Sequence, residues 1–278
     1  LSKPGDEIEE GVHEARKCFK KIRAAIRLIR GQLGDVYRQE NCWFRDAGRQ
    51  LSACRDAMAA LETVDKLYEA TRERAAPAIF EPLSRVLEER RVRVMERSEG
   101  LGAETETLRN ELQQKRKQIV SWPLRAGDFE VIRYGLRRTY RRGRRAMRNA
   151  YDELSAEAFH EWRKRVKYHW YHCRLLSNAW EDILPIYTEE VHRLSELLGD
   201  YHDLDVLREV IDEEFGSGAE HSVADILRLI QDRQRTLRKK ALPLGYCVYA
   251  EKSKAFVRRM EHYWAAWRYP EEICAAGV

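Results

Sequence analysis

Apolar residues recur along the chain at the three-to-four-residue spacing of a helix surface, and no stretch alternates long enough to demand a strand. The spacing predicts helices near residues 5–33, 38–72, 77–98, 101–120, 127–150, 155–179, 181–214, 220–241 and 252–268. Breaks are expected at Gly31 and Gly34, at Pro77, at Gly100 and Gly102, at Trp122 with Pro123, from Gly216 to Gly218, and at Pro243 with Gly245. The fold class this implies is all-α. At about 100° per residue, His13, Arg16, Lys17, Lys20 and Arg27 share one arc of the first helix. Val12, Ala15, Phe19, Ile22, Ile26 and Ile29 take the opposite side, so the helix has a core face and a cationic face.

That design occurs twice. Residues 159–177 repeat residues 12–30 at an offset of 147 without a gap, so that His13, Glu14, Arg16, Lys17, Lys20, Arg27 and Leu28 recur as His160, Glu161, Arg163, Lys164, Lys167, Arg174 and Leu175. The same offset carries Leu51 to Leu198, Asp56 to Asp203 and Glu62 to Glu209. In the second copy Phe159, Trp162, Val166, Cys173 and Leu176 oppose the cations. A duplicated helical unit follows, and residues 121–127 are the best boundary between its halves, 1–122 and 123–278.

Charge sharpens this picture. Residues 12–30, 131–151, 159–174 and 251–262 carry +6, +8, +4 and +2, while the whole chain is only +5, so the rest sums to −15. Segregated charge of this kind places a basic surface on an acidic body and recruits polyanions. Arginine outnumbers lysine 38 to 13, and guanidinium forks grip phosphate oxygens bidentately. In the arginine-rich helix, Arg137, Arg141, Arg144, Arg145 and Arg148 cluster away from Ile132, Leu136, Tyr140 and Met147.

The six cysteines contain no CxxC pair and do not repeat at the 147 offset, which points to a reducing compartment, the cytoplasm, rather than to disulfides or a zinc knuckle. The opening LSKPGDEIEE has no apolar stretch, so neither a signal peptide nor a membrane anchor is expected. A first residue other than Met is expected of a trimmed or partial chain.

These motifs resemble those of the CHAD family, the conserved histidine α-helical domain. The signs are HEARKCFK from His13 and HEWRKRVK from His160, LSACRD from Leu51 and LGDYHD from Leu198, GLRRTYRRGRR from Gly135, and AEKSKAF from Ala250. The resemblance implies two pseudo-symmetric four-helix bundles packed around a basic central channel that binds inorganic polyphosphate, without catalysis and without a cofactor or metal. It further implies localisation to polyphosphate granules in some members, and frequent fusion to a triphosphate-tunnel domain, which here would lie outside the chain. On this reading the contacts come from His13, Arg16, Lys17, Lys20, Arg27, His160, Arg163, Lys164, Lys167 and Arg174. Arg137, Arg138, Arg141, Arg144, Arg145, Lys252 and Lys254 extend the track, and Arg55 and His202 adjoin it. The first LSACRD segment lacks the glycine of the second and has Arg55 where the second has His202, so the two copies are not equivalent.

Three rivals are weighed beside it. Glu10 and His13, with Glu157 and His160, form a repeated ExxH to which Glu62 and Glu209 add the carboxylates of a di-iron site. Lysines and arginines on the same face oppose a metal cation there. His202 with Asp203 suggests a metal-dependent phosphohydrolase, but only as a dipeptide. RNA or DNA backbone binding fits the basic tract, although Tyr140 falls on the apolar side, where it would not stack on bases. His169 falls on the apolar stripe of its helix and is expected as a hydrogen-bonded core residue.

Overall fold

A computed structural model describes residues 4–98, 101–125, 127–216 and 220–271, leaving aside the side chains of 4–9, 52–57, 95–98, 101–104 and 220–222. Among the described residues the regular structure is helical throughout: α1 (Pro4–Leu28), α2 (Arg30–Leu33), α3 (Val36–Gln50), α4 (Ser52–Thr71), α5 (Glu81–Ser98), α6 (Leu101–Gln118), α7 (Glu130–Glu153), α8 (Ala156–Leu176), α9 (Leu184–Phe215), α10 (Glu220–Val248) and α11 (Ser253–Arg268). Short 3-10 turns occupy Pro77–Ile79, Ile119–Ser121 and Ser177–Trp180. No helix among them is long and apolar enough to cross a membrane.

Three expected boundaries are corrected. The helix expected over 38–72 is interrupted at Leu51 (φ −91°, ψ 17°), and that over 5–33 at Ile29 (φ −91°, ψ 8°). Conversely, α10 runs straight through Pro243 to Val248 instead of ending near 241. Proline removes one helix hydrogen bond and normally kinks or ends a helix. Here the turn after it is held by packing: a Cβ on Gly245 would sit 2.8 Å from both Met147 Sδ and Trp162 Cζ2. The glycine serves a close approach, not a stop.

The chain divides into two compact units, each built from three separate stretches. The first comprises Leu1–Lys20, Trp43–Trp122 and Asp200–Arg238. Its core gathers Phe19, Phe44, Val64, Leu67, Leu83, Leu87, Leu204, Leu207, Ile226 and Ile230. The Phe44 ring stands edge-on to Trp43 at 4.8 Å. Buried Gln234 donates to Asp205 Oδ1 at 2.7 Å, and Arg208 lies 3.6 Å from the same oxygen, so this buried carboxylate has both a donor and a counter-charge.

The second unit comprises Lys21–Cys42, Pro123–Gly199 and Lys239–Val278. Leu136, Tyr140, Phe159, Trp162, Val166, Tyr249 and Phe256 are almost fully enclosed in it, so the core faces read from the periodicity of α7 and α8 hold. Tyr140 stacks on Phe256 at 4.2 Å. Buried His169 sits 3.0 Å from the Tyr187 oxygen. Because Tyr187 gives its own hydroxyl proton to the Val248 carbonyl at 3.1 Å, His169 Nε2 is the donor of that pair. Helix α7 ends at Leu154 in the left-handed region (φ 51°), and α8 begins at once with Ser155 capping the Ala158 N–H at 3.2 Å.

At Gly135, α7 crosses the end of α1 so closely that a Cβ would lie 2.0 Å from the Leu28 oxygen and 2.4 Å from the Arg27 oxygen. These are backbone atoms and cannot swing aside. Gly135→Ala should therefore destabilise the protein by about 3 kcal/mol or more through overpacking. In α3, a Cβ on Gly48 would meet nothing nearer than Phe19 Cδ2 at 3.9 Å, so Gly48→Ala should stabilise by about 0.5–1 kcal/mol through helix propensity. Urea unfolding of both variants checks the opposite signs.

Candidate functional site

The Gly135 crossing sets the geometry of an arginine-lined crevice in the second unit. Helix α8 braces the other side of the α1 end, where His172 Nε2 donates to the Ala24 carbonyl at 2.9 Å. Arg27, Arg30, Arg138, Thr139, Arg142, Arg165 and Tyr168 then line one narrow cleft. Arg138 and Arg142 stand one turn apart on α7, and α8 supplies Arg165 with Tyr168. The free space among the side chains is only about 10 Å³. An anion would enter by parting flexible guanidinium heads.

Aromatic rings and a few acceptors hold these heads. The Arg27 guanidinium lies 4.2 Å from the Tyr168 ring centre, and it donates to the Asn41 side-chain oxygen and, at 3.3 Å, to the Arg23 carbonyl. Arg30 lies 4.1 Å from the Tyr37 ring centre. Glu161 is the carboxylate beside the cleft, paired with Arg165, with Lys164 at 2.8 Å and with Arg142 at 3.5 Å. Burial alone would raise its pKa, but the hydrogen bond from Lys164 and the charge of Arg165 bring it below the ordinary range.

The remaining field is positive. Burial lowers the pKa of Arg27, Arg30 and Arg142, and neighbouring arginines lower each further: Arg23 and Arg165 for Arg27, Arg138 and Arg27 for Arg30, Arg165 and Arg138 for Arg142. The Nε atoms of Arg138 and Arg165 are buried with no protein acceptor. Buried donors are ordinarily satisfied, and a cluster of guanidiniums with donors to spare is chemically a receptor for an anion rich in oxygen.

Of the residues expected from sequence, Arg27 and Arg138 line this cleft. His160, Arg163, Lys164 and Lys167 are half-buried on α8 and Arg174 is exposed. Lys164 reaches Glu161 at the edge of the cleft, while His160, Arg163, Lys167 and Arg174 lie further round the helix from Arg165 and Tyr168. Burial lowers the His160 pKa, and Lys164 and Arg163 lower it further. Arg137, Arg141 and Arg145 are exposed on α7, Arg144 is half-buried, and Lys252 and Lys254 are exposed at the start of α11. In the first unit His13, Lys17 and Lys20 are exposed on α1. There Lys17 pairs with Glu14 at 2.9 Å and Arg16 donates to the Gly48 carbonyl at 2.8 Å. The Arg55 side chain, with Asp56, lies outside the described residues.

Arg30, Arg142 and Arg165 are the functional candidates that sequence reasoning missed. Their spacing offered a signal, since Arg30 and Arg142 follow Arg27 and Arg138 by one helical turn. Arg165 offered less, because it stands between the cationic and apolar arcs of α8.

The metal-site rivals find little geometry. Glu10, Glu62, Glu157 and Glu209 are all exposed, and no group of three His, Cys, Asp or Glu among the described residues converges on a metal position. Asp203 lines a small crevice with Lys66 and Arg233, and Lys66 lies 3.5 Å from Asp200. Cations in that position oppose a divalent ion.

No curated protein and no solved structure matched the chain. The family model of the CHAD domain matches residues 3–212, a span that includes every element lining the arginine cleft. By that match over most of its length, the chain belongs to the CHAD domain family.

Proposed function

We propose that this protein binds inorganic polyphosphate without acting on it, and that the cleft of Arg27, Arg30, Arg138, Arg142 and Arg165 is a principal grip on the chain of phosphoryl groups. The observation that carries the reading is the pair of buried Nε donors on Arg138 and Arg165 with no protein acceptor, in a cleft where Glu161 is the one carboxylate paired with these arginines among the described residues. A polymer with several anionic oxygens on each unit suits five forks better than an isolated carboxylate ligand would. The same proposal includes the finer expectation of two pseudo-symmetric bundles sharing a basic channel, in which the cations of both repeat copies contact the polymer.

Much of the affinity should come from counterion release. Isothermal titration with long-chain polyphosphate at several salt concentrations should give log K falling against log salt, with a slope of about −3.5 if five phosphoryl charges are neutralised. No phosphate should be released during the titration, with or without Mg²⁺. A flat salt dependence sinks the proposal. Single-stranded RNA displacing polyphosphate at physiological salt would move the assignment to nucleic-acid backbone.

A further inference from the structure

Three tyrosines surround the arginine cleft, and they are not equivalent. The Tyr168 and Tyr37 rings each carry a guanidinium, that of Arg27 at 4.2 Å and that of Arg30 at 4.1 Å. Among the described residues, Tyr134 carries none. It precedes Arg138 and Arg142 on the same row of α7, one helical turn apart each time. Its hydroxyl is 3.5 Å from Nη1 of Arg138, a residue that lines the cleft, so the tip of the ring lies next to that lining. One side of the side chain packs on Gly31, where a Cβ would come within 3.3 Å of Tyr134 Cβ and 3.5 Å of Cδ1. The residue is nevertheless 52% exposed. A ring packed against Gly31 at its base, with half of its surface open to solvent, is a platform for a flat partner.

We propose that the cleft also takes nucleoside polyphosphates, with the phosphate tail among Arg138, Arg142 and Arg27 and the base stacked on Tyr134. This rests on the cleft being a phosphate site. The row from Tyr134 to Arg142 spans eight residue steps of helix, about 12 Å, which matches an extended nucleoside triphosphate from its base to its terminal phosphate. A bare polyphosphate has nothing to place on the ring. A nucleoside has no charge for the arginines. A ligand joining the two uses both ends of the row.

The test titrates the whole chain with tripolyphosphate, ATP and adenosine, using the parent protein, Tyr134→Ala and Tyr134→Phe. Tyr134→Ala should weaken ATP roughly fivefold or more, the lower end of what stacking a base on an aromatic ring contributes. Its tripolyphosphate affinity should stay within about twofold of the parent under the same conversion of energy to affinity. Tyr134→Phe should keep ATP affinity, because it keeps the ring and its packing on Gly31. Equal losses for ATP and tripolyphosphate in Tyr134→Ala, or no loss for either, overturn the stacking site while leaving the phosphate cleft in place. Absence of tripolyphosphate binding to the parent removes the cleft reading and this proposal with it. Adenosine binding as tightly as ATP overturns the role given to the arginines.

Discussion

Replacing Arg138 and Arg142 together by glutamine lowers polyphosphate affinity by about two to four orders of magnitude and leaves the fold at least as stable. The binding loss follows from two charge-assisted contacts, each contributing about 1.5–3 kcal/mol, with tenfold in affinity for every 1.4 kcal/mol. The stability expectation follows from the field inside the cleft. Burial and neighbouring guanidiniums already lower the pKa of Arg30 and Arg142, so the folded state holds these charges under mutual repulsion. Arg138 contributes to that repulsion at both of them. Glu161 retains Arg165 and Lys164 as partners after the substitution. Titration calorimetry and a thermal melt on the same preparation read the two effects. An affinity within threefold of the parent would relocate the site, and a marked fall in melting temperature would make the arginines structural.

The second large effect is acid lability centred on two histidines in the second unit. Burial holds the His169 pKa down to about 3 and the His172 pKa to about 4. His169 faces Tyr187, Cys173, Tyr140, Tyr249 and Phe256. His172 donates to Ala24 from Nε2, and its Nδ1 is buried with no protein acceptor. A second proton would therefore sit on a nitrogen with nothing to receive its hydrogen bond. Unfolded imidazoles titrate near 6.5, so below that pH the unfolded chain binds protons that the folded chain refuses. Stability then falls as pH drops from about 6.5 toward the folded values, by about 2–3 kcal/mol for each histidine on going from pH 7 to pH 4.5. Urea unfolding at the two pH values should show this loss, and His172→Gln, which keeps an N–H for Ala24, should remove about half of it. An unchanged loss in that variant would assign the acid sensitivity to carboxylates instead.

Much of the helical layout could be read from the spacing of apolar residues, because α1, α7 and α8 each bury one stripe and leave charges opposite. Phe19, Ile26, Phe159, Trp162 and Val166 lie where that spacing puts them. Pro243 did not behave as local chemistry suggests, since tertiary packing at Gly245 overrides the tendency of proline to end a helix. The cleft was half legible. Arg27 was found on the charged arc of its helix and Arg138 through the GLRRTYRRGRR motif, but a binding cleft forms where the edges of neighbouring helices meet. Arg165 and Arg30 occupy such edges, and only the crossing at Gly135 brings them to Arg142. Tyr134 could be seen next to the arginines, yet its open face depends on Gly31, a neighbour 103 positions away.

Each compact unit draws on three stretches of chain, the last of which begins at residue 200 for one and at residue 239 for the other. During synthesis the first hydrophobic interior cannot be finished until residues 200–238 have left the ribosome, nor the second until the stretch that begins at residue 239 has followed. Until then the arginine-rich helices lack the neighbours that will later position them, and any polyanion within reach can compete for them. Incompletely packed intermediates of large proteins are prone to off-pathway association. Translation rate and the supply of competing polyanions thus become determinants of yield for this chain.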